Sequence, residues 1–483
     1  MMLGIMKLSP AQRDRAAGAL VGLAAADALG GPYEFGPPLT DRPVMHAGRG
    51  WDLGEWTDDT AMALAIATTG ASGELDAEEV AASFLSWLGS GPKDVGIQTR
   101  QVLRAASGDP TRVAACATEY FRRNPDRSAG NGSLMRTAPV ALSYLGDDGA
   151  IAQAAREISD LTHADPVAGE ACVLWSIGID RAVREGRTDG VRDGLALLDR
   201  AASASWEALL DEAERKVPSE FPKNGWVVQA LQGAWSAIAH ADGVTGPERL
   251  RSGIEMAVAG GHDADTVGAI AGGLLGAAYG ASAVPWEWKE RLHGWPDLRI
   301  RGLVGLSQLI VGGGKPGQAG YPTAESMKAY YQHHDHPAGI AVPLPDDPGL
   351  LIGDVKGLEG AGGDADVVVS LCRMGTNEVR SGVEHIEIWL MDSSDPADNP
   401  NLGFVFADTA DLIARRRADG KTVFLHCVRA ERRTPAMVAA YLVPNIGVGA
   451  AEAVDKVRHA LETSLDPYPS WIIALESLEG GLS

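Results

Sequence analysis

From residue 9 to about 313, apolar positions recur at helical spacing in stretches rich in Ala, Leu and Gly, with Gly/Pro/Asp-rich loops between them. This pattern predicts a nearly all-α region. Ser9, Pro10 and Gln12 make a capping-box start with proline at the first helical position, so a helix is predicted from there to Leu29, stopped by Gly30-Gly31-Pro32. Thr57-Asp58-Asp59-Thr60 and Asp265-Thr266 each precede an Ala/Leu/Ile run and predict two further helix starts. In the last of these, Gly268, Gly272, Gly276 and Gly280 recur every fourth position. Each glycine costs about 1 kcal/mol relative to alanine in a helix, so the bare ridge predicts close approach of another helix or a ligand.

The periodicity breaks at Gly312 to Gly320, and a Pro/Asp-rich stretch follows. A linker is predicted over 316–345, between an all-α domain over 1–315 and a small α/β domain over 346–483. In the latter, the runs Asp366 to Leu371, Ile386 to Met391 and Thr422 to His426 read as strands of a partly parallel sheet. Helical stretches near Asp408 to Arg417 and Pro435 to Tyr441 alternate with them. A length of 483 residues, with 45% apolar and 22% charged residues, agrees with two globular domains.

The net charge of −22 repels phosphate backbones and anionic headgroups, which argues against nucleic-acid and membrane partners. Cys116, Cys172, Cys372 and Cys427 show no paired spacing, so neither a disulfide framework nor a zinc knuckle is expected. The opening residues lack the charged and apolar regions of a signal peptide, and no run is long enough to span a bilayer. A reducing cytoplasm is the expected compartment.

Two polar clusters carry candidate chemistry: Thr57-Asp58-Asp59 and Asp263-Ala264-Asp265-Thr266, each at a predicted helix start. Their all-oxygen donors suit Mg²⁺ or Mn²⁺ and poorly suit zinc. Asp and Thr at helix starts are also ordinary caps, and spacing alone does not bring the clusters together.

The segments Gly54 to Leu64 and Gly261 to Gly268 resemble the two metal-binding signatures of ADP-ribosylglycohydrolases. Gly22 to Gly30, Gly130 to Arg136, Thr162 to Pro166 and Asn224 to Val228 match in family order, over roughly residues 15 to 310. The resemblance implies that Thr57, Asp58, Asp59, Asp263, Asp265 and Thr266 hold two Mg²⁺ or Mn²⁺ ions in a compact helical fold. It implies an acidic loop residue at Glu34 and a substrate-side histidine at His163. The substrate would be an ADP-ribosylated protein, most simply through an arginine N-glycosidic bond, or a small molecule. Glu34 or Asp58 would exchange a proton with water or the leaving group. Gly130-Asn131-Gly132-Ser133, followed by Met135 and Arg136, can present backbone N–H groups and a cation to a diphosphate, and Trp226 can stack on adenine.

The stretch Val423 to Pro435 reads as strand, tight loop, helix. Cys427 and Arg433 have C-x5-R spacing, and such a loop can wrap a phosphate while Arg429, Arg432 and Arg433 stabilise a Cys427 thiolate. With His426 and Thr434 it resembles the signature of cysteine-dependent dual-specificity and tyrosine phosphatases, over roughly 345–483. That resemblance implies a phosphorylated substrate, no cofactor, a general acid at Asp392 or Asp395, and assistance to the leaving thiolate from Thr434. Ala430 and Arg432 stand where such loops usually carry glycine, which distorts the cradle. The leading reading is thus a bifunctional hydrolase. A binding reading keeps the motifs as an ADP-ribose or phosphoprotein sensor with weak or no turnover in the second domain; a third takes another glycosyl or nucleotide substrate.

Overall fold

The computed structural model describes residues 6–241, 246–317, 324–332 and 339–479. The chain divides into two compact units, Met1–Lys315 and Pro316–Ser483.

The first unit is helical. Helix α1 (Pro10–Gly30) begins with the predicted capping box: the Ser9 hydroxyl accepts from the Gln12 N–H at 3.2 Å and the Gln12 side chain accepts from the Ser9 N–H at 2.9 Å. Residues 16–30 of α1 are buried throughout, as expected of a helix apolar on all sides. Helix α2 (Asp58–Gly70) starts at an extended Thr57 whose hydroxyl accepts from the Asp59 N–H. Helices α3 (Pro166–Glu185) and α4 (Val227–His240) pack around α5 (Ala264–Tyr279), and the Trp175 indole of α3 donates to the Ile270 carbonyl at 3.0 Å. One departure from the all-α expectation is a two-residue antiparallel ribbon, His293–Gly294 with Leu298–Arg299.

The glycine ridge meets a helix. A Cβ on Gly276 would lie 2.0 Å from the Gly18 carbonyl oxygen and one on Gly272 would lie 2.3 Å from that of Gly22. Only glycine lets α1 and α5 come backbone to backbone here, and an alanine at either position would force them apart.

The second unit is a five-stranded sheet with helices. Its strands are β1 (Ala341–Leu344), β2 (Asp347–Asp354), β3 (Val367–Ser370), β4 (Glu384–Glu387) and β5 (Val423–Cys427), in the order β1-β2-β5-β3-β4. Only the β1–β2 pair is antiparallel. Central β5 is fully buried, as a parallel strand covered on both faces should be. The strand expected over Ile386 to Met391 begins earlier and ends at Glu387, because β4 pairs only with β3, which ends at Ser370.

The stretch expected as a linker carries structure where it is described; residues 318–323 and 333–338 of it lie outside the described residues. It includes β1 and a short helix, α6 (Lys328–Gln332), after α5 in chain order. Met327 and Tyr331 pack with Val355, Cys372 and Met374, and the Glu378 carboxylate accepts from the N–H of Lys328 at 3.1 Å. Pro343, Pro348 and Gly349 hide β1 and β2 from a pattern search, yet proline is tolerated on an edge strand such as β1. Helices α7 (Leu402–Ala418), α8 (Arg433–Ile446), α9 (Ala450–Leu461) and α10 (Pro469–Glu479) complete the unit.

Candidate functional site

The contact between α1 and α5 builds the first site. It sets the end of α1 against the first turn of α5, where a Cβ on Gly30 would lie 2.4 Å from the Asp265 Cα. Asp27, in the last turns of α1, is fully buried and accepts from the N–H groups of Thr57 (3.1 Å) and Thr60 (3.0 Å) and from the Thr60 hydroxyl (2.6 Å). One carboxylate thereby pins the start of α2 to α1, satisfying donors that a helix start leaves open.

Oxygens of Asp27, Asp59 and Asp265 lie within 4.8 Å of one another, and so do those of Glu34, Asp263 and Asp265; Asp265 belongs to both groups. The Thr57 hydroxyl donates to Asp59 Oδ2 at 3.0 Å, and the Thr266 side chain hydrogen-bonds to Asp59 and Asp263. Burial pushes all six carboxyls upward, Asp27 to about 6, Asp58 to about 7 and Glu34 to about 8, with Asp59, Asp263 and Asp265 also raised. Repulsion from neighbouring carboxylates adds to the rise at Glu34, Asp58, Asp59 and Asp265. At the centre, Asp59 Oδ1 and Asp265 Oδ1 are buried with no hydrogen-bond partner. Bare oxygens among mutually repelling carboxyls fit a hard divalent cation, which would return the groups to their charged forms.

Asp58 stands outside both groups, half-buried, with Oδ2 accepting from the Gly96 N–H at 3.4 Å. Two residues escaped the sequence reading. Asp27 had a signal, a single carboxylate inside the run Ala24-Ala25-Ala26-Asp27-Ala28; Asp94, close enough to raise both Glu34 and Asp58, had none.

The residues expected to face the diphosphate are placed differently. The Asn131 amide donates to Asp263 Oδ2 and to the Asn224 carbonyl, both at 2.8 Å, so it orients a carboxylate. Asn224 completes the support, accepting from the Asp263 N–H at 3.1 Å and donating to the Gly261 carbonyl at 2.9 Å. His163 is buried behind the loop: a Cβ on Gly130 would lie 3.1 Å from its Nε2 and one on Gly132 would lie 2.9 Å from its Cε1. Its Nδ1 pairs with the Thr162 hydroxyl at 2.8 Å, and burial drops its pKa to about 3, so it stands under the loop as a neutral prop. Arg136 is fully buried, donating to Thr162 Oγ1 at 2.6 Å with its guanidinium 4.4 Å from the Phe84 ring centre, which removes it from reach of a diphosphate. Ser133 and Met135 are also buried, Gly130 and Asn131 half-buried, and Trp226 is exposed at the start of α4.

In the second unit, Cys427 ends β5 and Arg433 begins α8, with 428–432 between them. Ala430 adopts φ 56°, the left-handed conformation glycine takes freely, so the loop closes without its glycine at a local cost. Arg433 is nearly buried and donates to the carbonyls of Leu371 (3.1 Å) and Leu390 (3.2 Å), while its Nε lies 3.5 Å from Asp392 Oδ2. Of the two candidate acids, Asp392 therefore stands at the loop. Asp395 instead caps the turn Pro396–Asp398 by accepting from the Ala397 N–H at 2.9 Å. The buried Thr434 hydroxyl donates to the Gly353 carbonyl at 3.2 Å, which commits it to β2. His426 pairs with the Ser370 hydroxyl at 2.7 Å and is held neutral by burial, its pKa near 3.

With two helix starts converging on shared carboxyls that could hold a metal, the first unit has the architecture of a glycosidic-bond hydrolase. The chain belongs to the ADP-ribosylglycohydrolase family, whose model matches residues 8–314. It is 29% identical to the ADP-ribosyl-[dinitrogen reductase] glycohydrolase of Rhodospirillum rubrum, over 63% of this chain and 98% of that protein. It is 31% identical to the ADP-ribosylarginine hydrolase Tri1 of Pseudomonas putida (strain GB-1), over 59% of this chain and 76% of that protein. A solved ADP-ribosylglycohydrolase-related protein complex superposes with a TM-score of 0.52 at 29% identity, covering 63% of this chain and 99% of that one. A single-residue variant of human DUSP28 is among the structural neighbours of the second unit, 22% identical with a TM-score of 0.26, over 30% of this chain and 96% of that one. No helix among the described residues is long and apolar enough to cross a membrane.

Proposed function

We propose that the first unit hydrolyses the N-glycosidic bond between ADP-ribose and an arginine side chain of a modified protein, or the same bond in a small molecule. The observation that carries this reading is the pair of buried, unpartnered oxygens on Asp59 and Asp265, in a family of metal-dependent glycohydrolases. The name of the Tri1 relative, an ADP-ribosylarginine hydrolase, supports arginine as the leaving group. Two Mg²⁺ or Mn²⁺ ions held by Thr57, Asp58, Asp59, Asp263, Asp265 and Thr266, joined by Asp27, would polarise a water and lower its pKa. Glu34, half-buried and poised near neutrality, exchanges a proton with that water or with the departing guanidine. Asn131 holds the Asp263 carboxylate and Asn224 its backbone N–H, and Trp226 offers an exposed face to adenine. Release of ADP-ribose from an arginine-modified protein tests this: turnover should vanish with EDTA, return with Mg²⁺ or Mn²⁺, and fall in Glu34→Gln. Full turnover in EDTA would remove the reading.

The second unit carries a cysteine-dependent phosphatase reading, favoured by Arg433 held at the mouth of the Cys427 loop beside Asp392. Cys427 sulfur attacks phosphorus, the bond to the leaving oxygen breaks, and Asp392 supplies that oxygen's proton; water then releases phosphate. The left-handed Ala430 and the committed Thr434 hydroxyl favour slow turnover, so phosphate binding with little release is the second reading. Hydrolysis of p-nitrophenyl phosphate that disappears in Cys427→Ser supports catalysis; binding without turnover supports the sensor.

A further inference from the structure

Among the described residues, the two most exposed large apolar side chains of the whole chain are Ile97 at 76% and Phe35 at 73%. Scattered surface apolar groups are ordinary. These two are not scattered, because each directly follows a residue tied to the acidic cleft. Phe35 follows Glu34, a member of the cluster with Asp263 and Asp265, and its own N–H donates to the His262 carbonyl, one residue before Asp263. Ile97 follows Gly96, whose N–H donates to Asp58 Oδ2 at 3.4 Å. A third exposed apolar side chain, Trp226, follows Gly225, where a Cβ would lie 3.8 Å from Asp263 Oδ2.

Phe35 adds a second, independent sign. Its backbone sits at φ 56°, and His262, whose carbonyl accepts its N–H, sits at φ 60°, both in the left-handed region that non-glycine residues occupy only at a cost. A bulky aromatic at such a position, with most of its surface in water, adds nothing to the folded core. Strain held at a side chain left 73% exposed points to a use outside the chain.

We infer that Phe35 and Ile97 form an apolar rim that receives the polypeptide flanking the modified residue, so that the site distinguishes an ADP-ribosylated protein from a free ADP-ribosyl small molecule. The occupant is a loop or extended segment of basic character. Glu34 directly precedes Phe35, Asp94 lies three residues before Ile97, and Asp58 accepts from the Gly96 N–H beside it; with a net charge of −22 on the chain as a whole, the field at the mouth attracts cationic side chains beside the one being released. The inference rests on the hydrolase reading above.

The test compares kcat/KM on an arginine-ADP-ribosylated protein and on ADP-ribosylated agmatine, with Mg²⁺ present, for wild type and the double variant Phe35→Asn, Ile97→Ser. Asparagine tolerates the left-handed backbone, so the loop keeps its shape. The protein substrate should lose about tenfold or more, and the small substrate should change less than threefold. Turnover of the small substrate also reports that the variant is folded; if it fails there, Ile97→Ser alone carries the comparison with the same expectation at a smaller loss. Equal losses on both substrates, or no loss on the protein, overturn the rim. Absence of ADP-ribose release from either substrate by the wild type overturns the hydrolase reading and the rim with it.

Discussion

In the first unit five carboxyls are gathered together, two of them with a bare oxygen, whereas in the second a guanidinium is held at the mouth of a loop that ends on a helix N-terminus. One site is an excess of negative charge that a cation relieves; the other is an excess of positive charge that an anion relieves. They also differ in assembly. The acidic site joins Asp27, Asp59 and Asp265 through a helix contact between distant parts of the chain, while the loop site is contiguous from Cys427 to Arg433. Loss of packing should disable the first and spare the second.

The sharpest way to break the contrast is Asp265→Asn, because Asp265 is shared by both carboxylate groups. ADP-ribose release should fall by about a thousandfold or more, as when a principal electrostatic contribution is removed. Without divalent ions the same variant should be more stable than wild type, since one repelling charge is gone; a gain of about 1 kcal/mol corresponds to roughly 2–4 °C in a unit of this size. Calorimetry in EDTA and in Mg²⁺ checks it. A variant that still gains stability from Mg²⁺ as the wild type does would count against Asp265 as a ligand.

Next in size is Asn131→Ala, which leaves the carboxylates in place but frees Asp263. A loss of about 10–100-fold in activity or metal affinity is expected from a supporting residue of this kind. If Asn131 instead served the diphosphate, KM for ADP-ribosylated substrate would rise with metal affinity unchanged.

That correction shows what a sequence can carry. The capping box at Ser9, the polar starts at Thr57 and Asp265, and the glycine ridge were legible because each is a local rule of helices, and the ridge even announced a close partner. Burial was not legible. Ser133 and Arg136 in one motif and His163 in another read as solvent-facing chemistry, yet they are buried beneath the loop, because residues that brace a loop and residues that line it share the same few positions. Strands β1 and β2 were hidden by Pro343, Pro348 and Gly349, tolerated where their ladder position allows. The Cys427 loop was legible as strand, loop and helix because that order is contiguous, whereas the choice of Asp392 over Asp395 and the anchoring of Arg433 and Thr434 on distant carbonyls were not.

The two units agree in one device, a buried neutral histidine under the functional loop: His163 in the first and His426 in the second, both with pKa near 3. An unfolded histidine takes up a proton near 6.5 and the folded ones do not. Stability is therefore undiminished above about 6.5 and falls as pH drops from there toward 3, by at most about 1.4 kcal/mol per pH unit for each histidine. Denaturant midpoints at pH 7 and pH 5 should differ less in His163→Gln for the first unit and in His426→Gln for the second. An unchanged difference in either would mean that the histidine is charged in the folded state.

The smallest effect concerns the loop glycines. Ala430 at φ 56° carries a left-handed cost of about 1 kcal/mol, which Ala430→Gly removes, while the added freedom of glycine in the unfolded chain takes back about half. The second unit should gain about 0.5 kcal/mol, a rise of roughly 1–2 °C, with the first unit unmoved. Arg432→Gly should do the opposite, although both positions usually carry glycine in loops of this kind. Arg432 has φ −132°, which any residue adopts, and its guanidinium lies 4.4 Å from the Tyr468 ring centre, a contact that glycine deletes. If both substitutions shifted stability in the same direction, backbone strain at Ala430 would not be what separates them.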